Sequence, residues 1–251
     1  MPKTSDRKKT DLALIQLLPN ILTIVAICAG LTAIRFGVQG SYVHAVQLIV
    51  VAAILDGVDG RLARLLGSDS KMGAELDSLA DFLNFGVAPA LVVYYWTLQD
   101  TRSIGWLSVL VFAVCCVVRL ARFNVDSKSD DNDHDSAYFT GVPAPAGALL
   151  VMLPMYLAFA FPDFVVIPDI LVSLYMVLIG YLLISRIPTW SFKTTRISRE
   201  NVKFFLVGVA FVGAAVLTFA WISLMLLCLA YIAVVVWQLF DKTPYGGKGK
   251  S

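Results

Sequence analysis

Eight apolar runs of 18–24 residues follow one another along this chain, and they constrain its fold more than any other feature. They lie at 19–38, 43–66, 75–97, 104–123, 144–161, 168–186, 202–219 and 221–239. A helix needs roughly 20 mostly apolar residues to cross the hydrocarbon core of a bilayer. Inside lipid no water is present to bond the peptide groups, so each run must close its hydrogen bonds within itself as a helix. The expected fold class is all-α, a polytopic membrane helical bundle of about eight transmembrane helices. With only 15% charged residues, the chain falls well below the roughly one-quarter of a soluble domain. The expected organisation is a cytoplasmic N-terminal segment over 1–18, a membrane domain over 19–239 and a cytoplasmic tail over 240–251. The first segment is basic at its start and shows no small-residue cleavage site, so it reads as an amphipathic lead-in.

Charge orients the bundle. With eight spans, the two termini and the segments near 67–74, 124–143 and 187–201 share one side. That side collects 18 of the 20 Lys and Arg residues, and only Arg35 and Arg102 fall toward the other. The positive-inside rule makes the crowded side cytoplasmic, with both termini on it, in a cell (inner) membrane. These basic residues flank spans and alternate with acids, so no nucleic-acid partner is expected. The four cysteines, Cys28, Cys115, Cys116 and Cys228, sit in apolar runs without metal-ligand spacing and read as small buried hydrophobes. The acidic run from Asp126 to Asp135 lacks the central glycine and terminal glutamate of a calcium loop and reads as solvated.

The chemistry concentrates in DGVDGRLARLLGSDSKMGAELDSLAD, from Asp56 to Asp81. Asp56 and Asp59 are three apart and Asp77 and Asp81 four apart, so each pair lies on one helical face. A polar turn between Gly67 and Gly73 makes the two pairs facing walls of an antiparallel hairpin. At about 1.5 Å per residue, Asp56 and Asp81 each stand roughly 15 Å below the cytoplasmic helix ends. The four carboxylates thus converge on one site. An aspartate near the middle of a spanning helix costs on the order of 3 kcal/mol on insertion scales, and clustered carboxylates repel one another. Protonation or bound cations must compensate. Oxygen-only ligands suit Mg²⁺ or Mn²⁺, and a cluster this tight suits two ions. A metal-ion transporter is the competing class, but it would distribute its acids along a path through the membrane. Gly57, Gly60 and Ala63 leave one helix face without bulk, open either to a ligand or to a closely packed helix.

The pattern D-x2-D-G-x2-A-R-x8-G-x3-D-x3-D, carried by Asp56, Asp59, Gly60, Ala63, Arg64, Gly73, Asp77 and Asp81, resembles the signature of the CDP-alcohol phosphotransferase family. Pro19-Asn20-Ile21-Leu22-Thr23 resembles that family's opening motif. The resemblance implies that Asp56, Asp59, Asp77 and Asp81 hold two metals and that Asp81 is also the base on the incoming alcohol. It implies CDP contacts from Asn20, Gly60, Ala63, Arg64 and Gly73, a homodimer, and no covalent phosphatidyl-enzyme.

Two further segments bear on the acceptor. Arg119-Leu120-Ala121-Arg122-Phe123-Asn124, together with Phe139 to Ala148, resembles the phosphatidylserine synthase branch of the family. The implied reaction joins CDP-diacylglycerol and L-serine, with Arg119, Arg122 and Asn124 as candidate contacts to the acceptor or to lipid phosphate. A guanidinium suits the serine carboxylate, but it suits a phosphorylated alcohol equally. Phosphatidylglycerophosphate and phosphatidylinositol phosphate synthases are therefore the alternatives. The phospholipase D type of chemistry needs histidine followed two residues on by lysine, and neither His44 nor His134 satisfies this.

Overall fold

The computed structural model describes residues 5–67, 70–101, 103–128, 138–163, 167–185, 188–190 and 218–240. Nearly all of them are helical. The helices are α1 (Ser5–Val38), α2 (Tyr42–Leu66), α3 (Lys71–Asp81), α4 (Ala88–Val93), α5 (Ser103–Lys128), α6 (Ala144–Val151), α7 (Leu153–Ala160), α8 (Asp169–Ile184) and α9 (Ala220–Phe240). π-Helical stretches, Phe82–Val87 and Tyr94–Leu98, join α3 to α4 and extend α4. Two three-residue strands, β1 (Tyr138–Thr140) and β2 (Pro188–Trp190), pair antiparallel with Phe139 opposite Thr189.

Five helical segments among the described residues are long and apolar enough to cross a membrane: Leu17–Val38, Tyr42–Leu66, Met72–Leu98, Ser103–Val125 and Ala220–Trp237. They coincide with five of the eight apolar runs, and the protein is a polytopic helical membrane protein. The run at 168–186 appears as the shorter apolar helix α8. The run at 144–161 is broken at Met152 into α6 and α7. Pro154 is the cause, since it has no N–H for the Leu150 carbonyl one turn back. The Tyr175 hydroxyl donates to that carbonyl instead, at 2.9 Å. The run at 202–219 lies almost wholly outside the described residues, as does the larger part of the acidic run and of the basic segment near 187–201.

The chain divides into two compact units, one drawn from 1–130, 143–152 and 167–184, the other from 131–142, 153–166 and 185–251. In the first unit α1 and α2 form a closely packed hairpin. Its seam is built of small residues, Ala26 and Ala29 against Ala52, with Leu48 and Leu55 closing over them. Gly40, at φ 75°, turns the chain between the two helices. Gly37 lies against Val92 of α4, and Gly180 of α8 against the Phe112 backbone of α5, where side chains would hold the helices apart. In the second unit α7 packs on α9, with Tyr156 and Phe159 against Trp221. The cysteines are free, as the sequence suggests; Cys116 and Cys228 are buried, but Cys28 lies exposed on α1, since the apolar outer face of a membrane helix needs no cover from the protein.

The first π-helical stretch has a legible origin. Pro89 cannot donate to the Phe85 carbonyl, and its ring crowds that carbonyl. The backbone widens instead, and the Ala88 N–H bonds the Leu83 carbonyl five residues back. Gly86 permits this, because a side chain there would press on Cys116 Sγ and the Phe82 ring.

Candidate active site

The α2–α3 hairpin is defined by its caps. Gly67 ends α2 in the left-handed conformation, φ 57°, with its N–H directed at the Ala63 and Arg64 carbonyls. Ser70 starts α3, its Oγ accepting from the Gly73 N–H at 2.9 Å. Those two caps bring the acid pairs face to face.

Carboxylate oxygens of Asp56, Asp59 and Asp77 lie within 4.8 Å of one another. Asp81 joins them through Asp56, with the two carboxyl groups in hydrogen-bonding contact. All four expected aspartates therefore meet in one cluster. Asp59 is only 2% exposed, and its Oδ1, like Oδ1 of Asp81, is buried with no hydrogen-bond partner among the described residues. Buried anions this close need a counter-charge. An all-carboxylate set with unsatisfied oxygens fits a hard divalent cation. The donor set and the two orphaned oxygens thus suit the metal that the sequence pattern implies.

α1 contributes the third wall. The Thr23 hydroxyl lies 2.6 Å from Asp59 Oδ2 and 3.1 Å from the Pro19 carbonyl. Asn20, one turn before Thr23, sits at Gly73: a side chain on that glycine would have its Cβ 3.0 Å from Asn20 Oδ1 and from Ser70 Oγ. Two of the residues expected to contact CDP, Asn20 and Gly73, are therefore adjacent in space. Around Gly57 and Gly60 there is nothing within 4 Å of where a Cβ would stand. Of the two explanations for these glycines, close helix packing finds no partner among the described residues. Arg64 lies along the same helix, its Nε donating to the Gly60 carbonyl at 3.0 Å, with Ala63 beside it in sequence.

The end of α5 approaches from the other side. Arg119 is within electrostatic reach of Asp81. Arg122 Nη1 donates to the Ile184 carbonyl at 3.2 Å, covering the C-terminal end of α8. Asn124 Nδ2 donates to Ser78 Oγ at 2.9 Å, and Ser78 donates in turn to the Ala74 carbonyl. Arg122 and Asn124 thus have structural partners that no spacing in the sequence announces. Thr23 and Ser78 had no assigned role in that reading either. Both stand on the same faces as site residues, Thr23 one turn after Pro19 and Ser78 between the paired aspartates, and that spacing is the signal that could have found them.

The fold and this cluster together define a membrane-embedded protein with a carboxylate site built between its first three helices. A family model for CDP-alcohol phosphatidyltransferases matches residues 16–185, and the chain belongs to that family. The family is generally dependent on divalent metal, which the aspartate cluster is suited to bind. Similar proteins include the CDP-diacylglycerol–serine O-phosphatidyltransferase of Mycobacterium leprae, 39% identical over 91% of this chain and 76% of that protein. The protein of the same name from Helicobacter pylori is 36% identical over 78% of this chain and 80% of its own length. That of Mycobacterium bovis is 51% identical over a shorter stretch, 54% of this chain and 47% of its own length.

Proposed function

We propose that the protein transfers the phosphatidyl group of CDP-diacylglycerol to the hydroxyl of L-serine, giving phosphatidylserine and CMP. The convergence of Asp56, Asp59 and Asp77, with Asp81 joined through Asp56, carries this reading, in a chain whose similar proteins across most of its length are named for the serine reaction. In this reading Asp56, Asp59, Asp77 and Asp81 hold two divalent cations, Mg²⁺ or Mn²⁺. Bound there, the cations neutralise the diphosphate and stabilise the charge that develops on departing CMP. Asp81 takes the proton from the serine hydroxyl. The hydroxyl oxygen forms its bond to the lipid-side phosphorus as the bond from that phosphorus to the CMP oxygen breaks. No phosphatidyl-enzyme is formed.

Asn20, Gly60, Ala63, Arg64 and Gly73 hold the CDP group. The open strip at Gly60 receives it against the backbone, and Arg64 supplies a fork of donors to its phosphates. Arg119, Arg122 and Asn124 serve the acceptor or a lipid phosphate, with Arg119 suited to the serine carboxylate. The membrane domain spans 19–239 between an N-terminal segment, 1–18, and a C-terminal tail, 240–251. Both ends and the active site face the cytoplasm, in the inner membrane, and the protein works as a homodimer.

CMP release from the purified protein, given CDP-diacylglycerol, Mn²⁺ or Mg²⁺, and one alcohol at a time, tests the proposal. Metal-dependent release with L-serine, lost in Asp81→Asn, is the expected result. Release only with glycerol 3-phosphate or an inositol phosphate transfers the reading to another branch of the family. No release with any alcohol from folded, metal-loaded protein overturns it.

A further inference from the structure

Asn84 is fully buried in the first π-helical stretch, and neither end of its amide has a hydrogen-bond partner among the described residues. It follows Asp81 by three residues. The backbone at Asp81 and Phe82 is right-handed helical, at φ −55°, ψ −48° and φ −60°, ψ −45°, so the two side chains are neighbours on one face. Asp81 Oδ1 is also buried without a partner.

The needs of the two groups are complementary. A carboxylate oxygen only accepts, and an amide nitrogen only donates. The carbonyl end of the Asn84 amide is already placed, because Oδ1 fills the space that a side chain on Gly30 of α1 would take. That contact leaves the NH₂ end to face away from α1. Buried polar groups are almost always paired, and one water between these two satisfies both. π-Turns inside helices also occur disproportionately at functional sites.

We propose that Asn84 is a positioning residue for the transfer reaction: its amide N–H donates to a water that in turn donates to the inner carboxylate oxygen of Asp81. The bridge fixes the carboxyl plane, and so holds the other oxygen, which meets Asp56, within the aspartate cluster where the acceptor hydroxyl is to lose its proton. The inference rests on Asp81 being the base.

Asn84→Leu tests it, because leucine keeps the volume over Gly30 and removes the donor. The expected result is a fall in kcat of about 10- to 100-fold, the range typical for outer partners of metal-site ligands, with KM for both substrates within about threefold. The thermal midpoint stays level or rises, since an unsatisfied amide has been replaced by an apolar group of similar shape. Asn84→Ser, which keeps a donor able to reach Asp81 through water, regains most of the lost kcat. Wild-type kcat in Asn84→Leu overturns the proposal. So does an equal loss in the Leu and Ser variants with a lowered midpoint, which marks Asn84 as packing alone. Asp81→Asn is measured alongside. If it is inactive while Asn84→Leu is fully active, the positioning role falls and the reaction scheme stands. If Asp81→Asn retains activity, the assignment of the base falls first.

Discussion

Thr23 and Asp59, 36 residues apart in sequence, meet across the α1–α2 hairpin with 2.6 Å between hydroxyl and carboxylate oxygens. The bond occupies Oδ2 of Asp59, while Oδ1 is buried with no hydrogen-bond partner among the described residues. Thr23→Val keeps the shape and deletes the donor. We expect the half-saturating Mn²⁺ concentration to rise about 10- to 100-fold, while Thr23→Ser stays near wild type. CMP release measured across a metal titration checks this.

Like charges crowded without a cation should strain the metal-free protein. In chelator, Asp59→Asn and Asp77→Asn should each unfold at a higher temperature than wild type, because one repelling charge is gone. In millimolar Mn²⁺ the order should reverse, since only wild type gains stability from the bound ion. Both variants should lose transferase activity. Thermal unfolding in detergent, with and without Mn²⁺, gives the comparison directly.

Gly60 and Gly73 should respond differently to alanine. The space around Gly60 is open, so Gly60→Ala should fold as well or better, gaining up to about 1 kcal/mol from helix propensity. If the nucleotide uses that strip, KM for CDP-diacylglycerol rises all the same. Gly73→Ala instead drives a Cβ to 3.0 Å from Asn20 Oδ1 and Ser70 Oγ, and should lower both stability and activity. Parallel kinetics and unfolding curves separate the two cases.

The bond from Asn124 to Ser78 ties the end of α5 to the helix that carries Asp77 and Asp81. Asn124→Ala and Ser78→Ala should each cost about 1 kcal/mol. The double variant should lose less than the sum, as expected for two residues sharing one bond. A serine KM that rises in Asn124→Ala but not in Ser78→Ala would give Asn124 an acceptor contact in addition.

Much of this arrangement is legible in the sequence because membrane helices obey few rules strictly. Five of the apolar runs reappear as spanning helices, since lipid allows the backbone no alternative. The aspartates meet in space because three- and four-residue spacings fix a helix face, and the Gly67 and Ser70 caps hold the hairpin between them. Other features depend on which helices meet. No local pattern announces that the Thr23 hydroxyl reaches Asp59, or that Arg122 covers the end of α8, because each needs a partner from a distant stretch of chain. The break at Met152 and the π-turn before Pro89 are intermediate cases. Both prolines are visible in the sequence, but whether the chain kinks, breaks or widens depends on what receives the freed carbonyl.

The widened turn between Phe82 and Val87 also separates two jobs within one membrane-crossing segment. Ahead of it, Asp77 and Asp81 must keep their angle to Asp56 and Asp59. Behind it, Ala88 to Val93 must fit against α1 and α2. A continuous α-helix would couple these demands, so that a residue gained or lost in one half would swing the other through about 100°. The looser turn absorbs such a change locally. The half of the segment after the turn can therefore be lengthened, shortened or repacked for bilayers of different thickness while the acids stay in register, which makes it the place to begin redesigning this protein for a foreign membrane.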